Sequence, residues 1–268
     1  MYPILLSVGP IHIFSLSVFL ILAWSAWSFL FWRHLRAEGV GDERIFTLMF
    51  SATVVVFVAS RAGFVATHWH LFSDNLLKIV ALWVQPGLSL YSGITAALVT
   101  LFVGARGHSV RAGFVLDALA ASLPWSLAIG KIGSLLDGSE VGKLANLPWA
   151  VRLVGHVGRR HPVQIYEFVA LALIGMTVVY LERRARSQRS PYGVVGVWFF
   201  LLFAPVALVL EFFKESSVYW SYLSANQWVL IALFAQACGA FYVRGGGRHM
   251  MTHWIKALYA KLSTRRSS

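Results

Sequence analysis

The sequence predicts an all-α, polytopic membrane protein with about seven transmembrane helices. Of its 268 residues, 58% are hydrophobic and only 13% are charged, and the mean hydropathy is +0.68. A chain with so little polar surface cannot form a water-exposed globule. A transmembrane helix needs roughly 20 apolar residues to cross a hydrocarbon core of about 30 Å. Seven stretches meet this length, at 11–32, 45–67, 79–103, 112–136, 163–181, 193–213 and 227–243.

The fourth of these spans is interrupted near its end by Gly130, Lys131 and Gly133. Irregular backbone inside a membrane is tolerated only where protein or water covers it. We therefore expect this end of the span to bend, unwind or tilt.

The distribution of basic residues predicts the orientation, because cytoplasmic loops retain an excess of Lys and Arg. One side carries fifteen basic residues and the other carries six. The richer side holds Arg33, Arg36, Arg44, Arg106, Arg111, Arg183, Arg184, Arg186, Arg189 and six residues after 243, and the poorer side holds Lys78, Lys143, Arg152, Arg159, Arg160 and Lys214. The N-terminus is therefore predicted to lie outside and the C-terminus in the cytoplasm.

The chain is predicted to form one integral membrane domain, residues 1–268. Its last part, 248–268, places apolar residues at helical spacing among Arg and Lys, which is typical of a basic amphipathic helix on the cytoplasmic membrane surface. The net charge of +12 thus serves topology and attraction to anionic lipid, and we do not expect nucleic-acid binding. Cys238 is the single cysteine, so neither a disulfide framework nor a cysteine metal site is expected.

Ionisable side chains within the spans mark the candidate site, because each costs several kcal/mol in lipid unless it has a partner. Acids and bases occur there in similar numbers, which predicts mutual pairing. A structural alternative remains for Arg61 and Asp117, which could serve only to join helices. The polar set comprises Arg61, Asp117, Lys131, Asp137, Glu140, His161, Gln164, Glu167 and Glu211.

Two segments concentrate these residues. Residues 130–142 supply glycines, a cation, hydroxyls and two carboxylates, a combination suited to holding a phosphate and a polyol. The same glycines could instead permit close helix packing. Residues 160–167 carry Gln164, Tyr166 and Glu167 into the fifth span, where they could line a site or brace neighbouring helices.

Together these segments resemble the prolipoprotein diacylglyceryl transferase family. RHPVQIYE at 160–167 is similar to that family's HP-x-Q-x-YE signature, and GKIGSLLDGSEVG at 130–142 occupies the place of its G-R-x-G-N-F-x-N-G-E-x-x-G signature. The resemblance extends over roughly residues 9 to 243. Other matching positions are Ile11-His12, Ser60-Arg61-Ala62-Gly63, Gly87-Leu88-Ser89, Ser92-Gly93, Asp117, Pro124 and Glu211-Phe212-Phe213-Lys214.

The resemblance implies transfer of a diacylglyceryl group from phosphatidylglycerol, or another anionic phospholipid, to the thiol of a lipobox cysteine in a secreted precursor. It also implies a multi-pass protein of the bacterial inner membrane, with no metal and no organic cofactor. Such chemistry needs a group that accepts the thiol proton and positive charge for the departing phosphate.

Several family positions are changed in this chain. The signature's Arg is replaced by Lys131, which keeps the charge but loses the bidentate fork. An Arg expected four residues before Glu211 is Ala207, and a His expected in the third span is Tyr91. The remaining changes are Ser134 and Asp137 for Asn, and Phe14 for Tyr.

For an active enzyme, the resemblance implies the following roles. Lys131 and Ser134 hold the phosphate, Asp137 and Glu140 orient the glycerol hydroxyls, and His161 or Glu167 assists thiol deprotonation. Glu211 pairs with Arg61 or Lys131. Tyr91 joins Lys131 in a reworked catalytic site, and Gly142, Arg61 and Gln164 complete the substrate-binding set.

Three alternatives stay open from the sequence. A catalytically degenerate relative would bind phospholipid or precursor without turnover, which the changes at Tyr91 and Ala207 favour. A transporter or channel would use Arg61, Asp117 and Glu211 as a relay, although no internal repeat supports it. A third possibility is transfer of a different lipid or to a different acceptor.

Overall fold

The computed structural model describes residues 3–8, 11–82, 84–153, 156–215 and 219–244. Seven of its helices are long and apolar enough to cross a membrane, which confirms the predicted fold class. They are α1 (Ser15–Ala37), α2 (Asp42–Thr67), α3 (Leu90–Gly107), α4 (Ala112–Asp137), α5 (Val163–Ser187), α6 (Val194–Glu211) and α7 (Ala225–Arg244). The predicted tail helix at 248–268 lies outside the described residues.

Short strands form three two-stranded antiparallel pairs between and before the helices. These pairs are β1 (Ile4–Val8) with β2 (Ile11–Phe14), β3 (Val151–Arg152) with β4 (Arg159–Arg160), and β5 (Tyr219–Trp220) with β6 (Leu223–Ser224). The first pair corrects the predicted start of the first span at residue 11, because the helix begins only at Ser15.

The third span also begins later than predicted. Residues 76–79 form a short 3-10 turn, and α3 starts at Leu90 rather than at residue 79. Pro86 lacks a backbone N–H, and Gly87 has a φ of +147°, so neither continues a helix. The loop is instead held by Arg61, which donates from Nε to the Ile79 carbonyl, and from its two terminal nitrogens to the Lys78 and Gly87 carbonyls, at 2.7–2.9 Å.

Helix α4 is the centre of the bundle and packs against α1, α5 and α6. The unwinding considered for its end does not occur, because the helix runs unbroken to Asp137 and ends at Gly138, whose φ is +76°. Gly133 instead allows α1 to approach, since a Cβ atom there would lie 2.5 Å from the Phe19 Cβ. The packing alternative raised for the glycines is therefore confirmed at Gly133.

The outward surfaces of the helices are apolar, as lipid contact requires. Large side chains such as Ile21, Phe50, Val58 and Leu173 are more than half exposed. By contrast, the charged residues within the spans face inward: Arg61, Asp117, Lys131, Glu167 and Glu211 are all buried. This distribution places polar chemistry inside the bundle and hydrocarbon outside it.

The ends of the helices form two ends of the bundle. We call the end that contains Ser15, Thr67, Leu90, Asp137, Val163, Glu211 and Ala225 the site end, and the other the opposite end. At the opposite end, Asp117 of α4 accepts hydrogen bonds from the Gly193 and Gly196 amides at 2.6 and 2.9 Å. Its carboxylate thus caps the first turn of α6 from a neighbouring helix.

Asp117→Ala is expected to destabilise the protein by about 1–2 kcal/mol, because it leaves first-turn amides of α6 without an acceptor. The measurement is thermal unfolding of the purified protein in detergent. Glu43→Ala is the matched control, since Glu43 is an exposed carboxylate in the first turn of α2 at the same end. Equal melting temperatures for the two variants would contradict a capping role for Asp117.

Candidate functional site

Five charged side chains meet at the site end of the bundle, and we call them the ion cluster. Lys131 comes from the last turns of α4 and Glu167 from the second turn of α5. Glu140 lies in the loop after α4, and Glu211 and Lys214 lie at and just beyond the end of α6. Three helices and two following segments therefore supply the site, which no single stretch of sequence contains.

The cluster contains an alternating ring of two lysines and two glutamates. Lys131 Nζ lies 2.5 Å from Glu140 Oε1 and 2.7 Å from Glu167 Oε2. Lys214 Nζ lies 3.0 Å from Glu140 Oε2 and 2.8 Å from Glu167 Oε1. Each carboxylate thus bridges both ammonium groups. Pairing of this kind is what allows charges to remain buried at the membrane.

Glu211 completes the cluster but not with the predicted partner. Its Oε2 lies 3.4 Å from Lys214 Nζ, and its Oε1 accepts a hydrogen bond from Asn226 Nδ2 at 2.7 Å. The predicted pairing of Glu211 with Arg61 or Lys131 is therefore wrong. Arg61 donates to the three backbone carbonyls of the 78–87 loop, as described above.

Backbone pairing around the loop after α4 holds Glu140 and Lys214 in place. The Lys143 amide donates to the Phe213 carbonyl and the Glu215 amide to the Val141 carbonyl, each at 2.8 Å. On its other side the loop pairs with β4, where the Ala145 amide donates to Arg159 and the His161 amide to Lys143. The result is a small irregular sheet that joins three distant parts of the chain beside the ion cluster.

Gly142 sits where these backbones meet. A Cβ atom at this position would collide with the His161 carbonyl, and the Gly142 carbonyl accepts a hydrogen bond from Arg160 at 3.0 Å. Arg160 is buried and also forms an ion pair with Glu215. Glycine is therefore needed here for close backbone approach.

The two members of the cluster that lie outside the helices are held in their charged forms. Burial raises the pKa of the Glu140 carboxyl, but the Lys131 and Lys214 ammonium groups outweigh burial and hold this pKa well below its usual value. Burial lowers the pKa of Lys214, whereas Glu140 and Glu167 raise it, and the net result lies well above the usual value. Both groups therefore keep their charges at neutral pH.

A narrow apolar cleft opens from the ion cluster between α3, α4, α5 and α6. Lys131 and Glu167 lie at its polar end, and the predicted residue Tyr91 lines it from the first turn of α3. Tyr91 is buried and is within electrostatic reach of Lys214. Three of the predicted site residues thus share one cavity.

Gln164 is also brought to the cluster. Its Nε2 donates to the Glu140 carbonyl at 2.5 Å, and it lies one turn before Glu167 on the buried face of α5. Its Oε1 is buried and accepts no hydrogen bond within the part of the chain that the structure describes. A donor from a bound molecule would satisfy this oxygen.

Other predicted site residues lie nearby without touching the charges. His161 contacts the Tyr166 hydroxyl at 3.3 Å and packs against Phe213. The buried Ser134 hydroxyl donates to the Gly130 carbonyl of its own helix. The Asp137 side chain shows no hydrogen bond or ion pair among the described residues. Their assigned roles stay predictions.

Sequence reasoning did not assign Lys214 to the site, although it included this residue in the matching segment 211–214 and among the basic residues of the outer side. The signal was present, because Lys214 follows Glu211 by three residues, the spacing at which opposite charges on a helix end meet. Asn226, which begins the next helix, gave no comparable signal. No group of three or more metal-ligating His, Cys, Asp or Glu side chains occurs in the described ranges.

Seven membrane-spanning helices and a buried ion cluster at the head of an apolar cleft define a polytopic membrane protein with an intramembrane polar site. The family model described as prolipoprotein diacylglyceryl transferase matches residues 3–243. The chain therefore belongs to the prolipoprotein diacylglyceryl transferase family, which confirms the resemblance inferred from its motifs.

Three curated relatives carry the name phosphatidylglycerol–prolipoprotein diacylglyceryl transferase. The protein from Mannheimia succiniciproducens is 28% identical over 218 residues, or 80% of each chain. The relative from the Wolbachia of Brugia malayi is 27% identical over 82% of this chain and 85% of its own. The protein from Bordetella avium is 26% identical over 87% of this chain and 90% of its own. The similarity thus spans most of both chains in each case.

Proposed function

We propose that the protein transfers the diacylglyceryl group of phosphatidylglycerol to the thiol of a lipobox cysteine in a secreted precursor. The names of its relatives support this function. The observation that carries it is a pair of ammonium groups, the buried Lys131 and the largely buried Lys214, beside an apolar cleft. Such a site matches an anionic headgroup joined to hydrocarbon.

The reaction requires one proton transfer and one displacement. The thiol gives up its proton, and its sulfur forms a bond to the glycerol carbon of the diacylglyceryl group. The bond between that carbon and the phosphate oxygen breaks, and the electron pair leaves with the phosphate as glycerol phosphate. Positive charge near the leaving oxygen and a base near the sulfur are therefore the two demands on the protein.

The ion cluster meets both demands in one place. Lys131 and Lys214 hold the phosphate and stabilise the charge that develops on it, since buried cations act strongly where water is excluded. Glu167 contacts both lysines and faces the cleft, so it is the proposed acceptor of the thiol proton. Gln164 Oε1 accepts a hydrogen bond from a glycerol hydroxyl.

This assignment favours Glu167 over His161 as the base. His161 is occupied with Tyr166 and Phe213 and does not line the cleft. We place its role in holding the loop beside the cluster, through its amide bond to Lys143. Tyr91 lines the cleft from α3 and orients the donor lipid near Lys131.

The protein is proposed to lie in the bacterial inner membrane with the site end facing outward. Support comes from the basic residues of the described loops and helix ends, of which ten fall toward the opposite end and six toward the site end, Arg61 and Lys131 within the spans not being counted. A secreted precursor reaches this outward face after it crosses the membrane. Phosphatidylglycerol enters from the surrounding lipid.

The test is a transfer assay with purified protein, phosphatidylglycerol vesicles and a lipobox peptide, with the thioether product measured by mass spectrometry. Wild type is expected to form product, and Lys131→Met is expected to lower the rate about a hundredfold or more. Lys143→Met is the matched control, because the Lys143 side chain is exposed and forms no ion pair with the cluster among the described residues.

Two results would contradict the proposal. If wild type forms no thioether but retains phosphatidylglycerol, the protein is a catalytically degenerate relative that only binds lipid. This is the alternative that the changed residues Tyr91 and Ala207 favour. If Lys131→Met transfers as fast as wild type, the ion cluster is not the site of the reaction. No feature of the fold or the relatives favours the binding alternative at present.

A further inference from the structure

We propose that the cleft between α5 and α6 holds one acyl chain of the donor glycerolipid and that Ala207 sets how much of that chain can enter. This inference rests on the proposed function, and it adds a specificity residue outside the ion cluster. The occupant is hydrocarbon, because the cleft is lined by apolar side chains, is long, and is continuous with the ion cluster.

The lining of the cleft is almost entirely aliphatic or aromatic. Away from the charged end its walls include Ala170 and Ile174 of α5, and Phe203, Val206, Ala207 and Leu210 of α6. Val206 is about a third exposed on the outer surface of the bundle, so the cleft reaches the lipid-facing side. Hydrocarbon from the membrane can therefore enter it without crossing a polar barrier.

The cleft is long relative to a single side chain. From Glu167 to Ile174 the α5 wall covers seven residues, or roughly 10 Å along the helix axis. From Glu211 to Phe203 the α6 wall covers eight residues, or roughly 12 Å. This length matches that of an extended alkyl chain, whereas an apolar side chain of the precursor would reach only the upper part of the cleft.

Because the cleft is continuous with the ion cluster, its occupant is better explained as an acyl chain of the bound donor lipid than as part of another molecule. Lys131 and Glu167 line the same cleft as Ile174 and Phe203. A glycerolipid whose phosphate lies at the lysines would therefore extend its chain directly between α5 and α6. One amphiphilic molecule explains both the charged end and the apolar length.

Ala207 lines the cleft midway along its α6 wall, between Phe203 and Leu210. It lies on the buried face of α6, one turn above Phe203 and one turn below Glu211. Only a methyl group projects from the backbone at this position. A longer side chain at 207 would occupy part of the cleft that Ala207 now lines.

The experiment compares two donors in competition, dipalmitoyl and dioctanoyl phosphatidylglycerol, with the lipobox peptide as acceptor. Ala207→Leu is expected to lower the preference for the longer donor about tenfold, since a few methylenes in an apolar pocket change rates by this order. Val209→Leu is the matched control, because Val209 lies on the same helix but faces lipid and does not line the cleft. An unchanged preference in Ala207→Leu would overturn the proposal.

A second measurement uses the wild-type protein and does not depend on activity. Phosphatidylglycerol with a photoreactive diazirine in one chain is expected to label Ile174 and Phe203. Labelling confined to the lipid-facing residues Val169 and Leu173 of α5 would overturn the proposal. If wild type forms no thioether while Ile174 and Phe203 are labelled, the transferase function fails and the chain site stands.

Discussion

Replacing Lys214 with alanine is expected to produce the largest loss of both stability and transfer activity. Lys214 contacts Glu140, Glu167 and Glu211, so its removal leaves one lysine against three carboxylates. Breaking a buried ion pair by deleting one partner costs about 3–5 kcal/mol, because the remaining charge is uncompensated. Transfer should fall about a hundredfold or more, since half of the positive charge at the phosphate is lost.

Two measurements separate these effects. Thermal unfolding in detergent reports stability, and the thioether assay at a temperature where the variant remains folded reports chemistry. Lys214→Arg is expected to restore stability more fully than activity, because the charge returns with a different shape. Lys143→Ala, an exposed lysine in the adjoining loop, should match wild type in both assays. Full transfer activity in folded Lys214→Ala would show that Lys131 alone serves the phosphate.

Glu167→Gln is expected to lower the transfer rate about 10²–10⁴-fold while the protein still binds phosphatidylglycerol. Glutamine keeps the shape of the side chain but cannot accept the thiol proton. Because the two lysines lose a carboxylate that they share, their attraction to an anionic headgroup should not weaken. The rate is measured with the thioether assay, and lipid retention with mass spectrometry of the detergent-purified protein.

Glu182→Gln provides the matched control for this variant. Glu182 lies on the same helix and is also paired, to Arg186 at 2.8 Å, but it belongs to the opposite end of the bundle. It should transfer as fast as wild type. Comparable losses in Glu182→Gln and Glu167→Gln would mean that the loss reflects the stability of α5 rather than proton transfer.

The architecture was largely predictable because lipid imposes a simple rule on sequence. Each span needs about 20 apolar residues, and the stretches that meet this length became seven helices. The errors lie where hydropathy carries no information about the backbone. Residues 79–89 are apolar enough for a span, yet Pro86 and Gly87 make them a loop that Arg61 secures.

The candidate site was only partly predictable, because pairing between helices is not visible in spacing along one chain. The sequence selected Lys131, Glu140 and Glu167, and these residues do meet. It paired Glu211 with Arg61 or Lys131, although Arg61 donates to carbonyls of the 78–87 loop and Glu211 pairs with Lys214. The sequence correctly predicted that Glu211 needs a cationic partner, but that partner is Lys214, three residues later.

The alternating ring has a consequence for biogenesis. Translation delivers α4 and α5 before α6, so Glu140 and Glu167 at first share Lys131 alone, and each gains its second ammonium partner only when Lys214 arrives. A nascent chain that stalls before residue 214 holds an unneutralised acid at the membrane, a state that is costly in lipid. Insertion of the sixth helix is thus the step that gives both carboxylates their second cation.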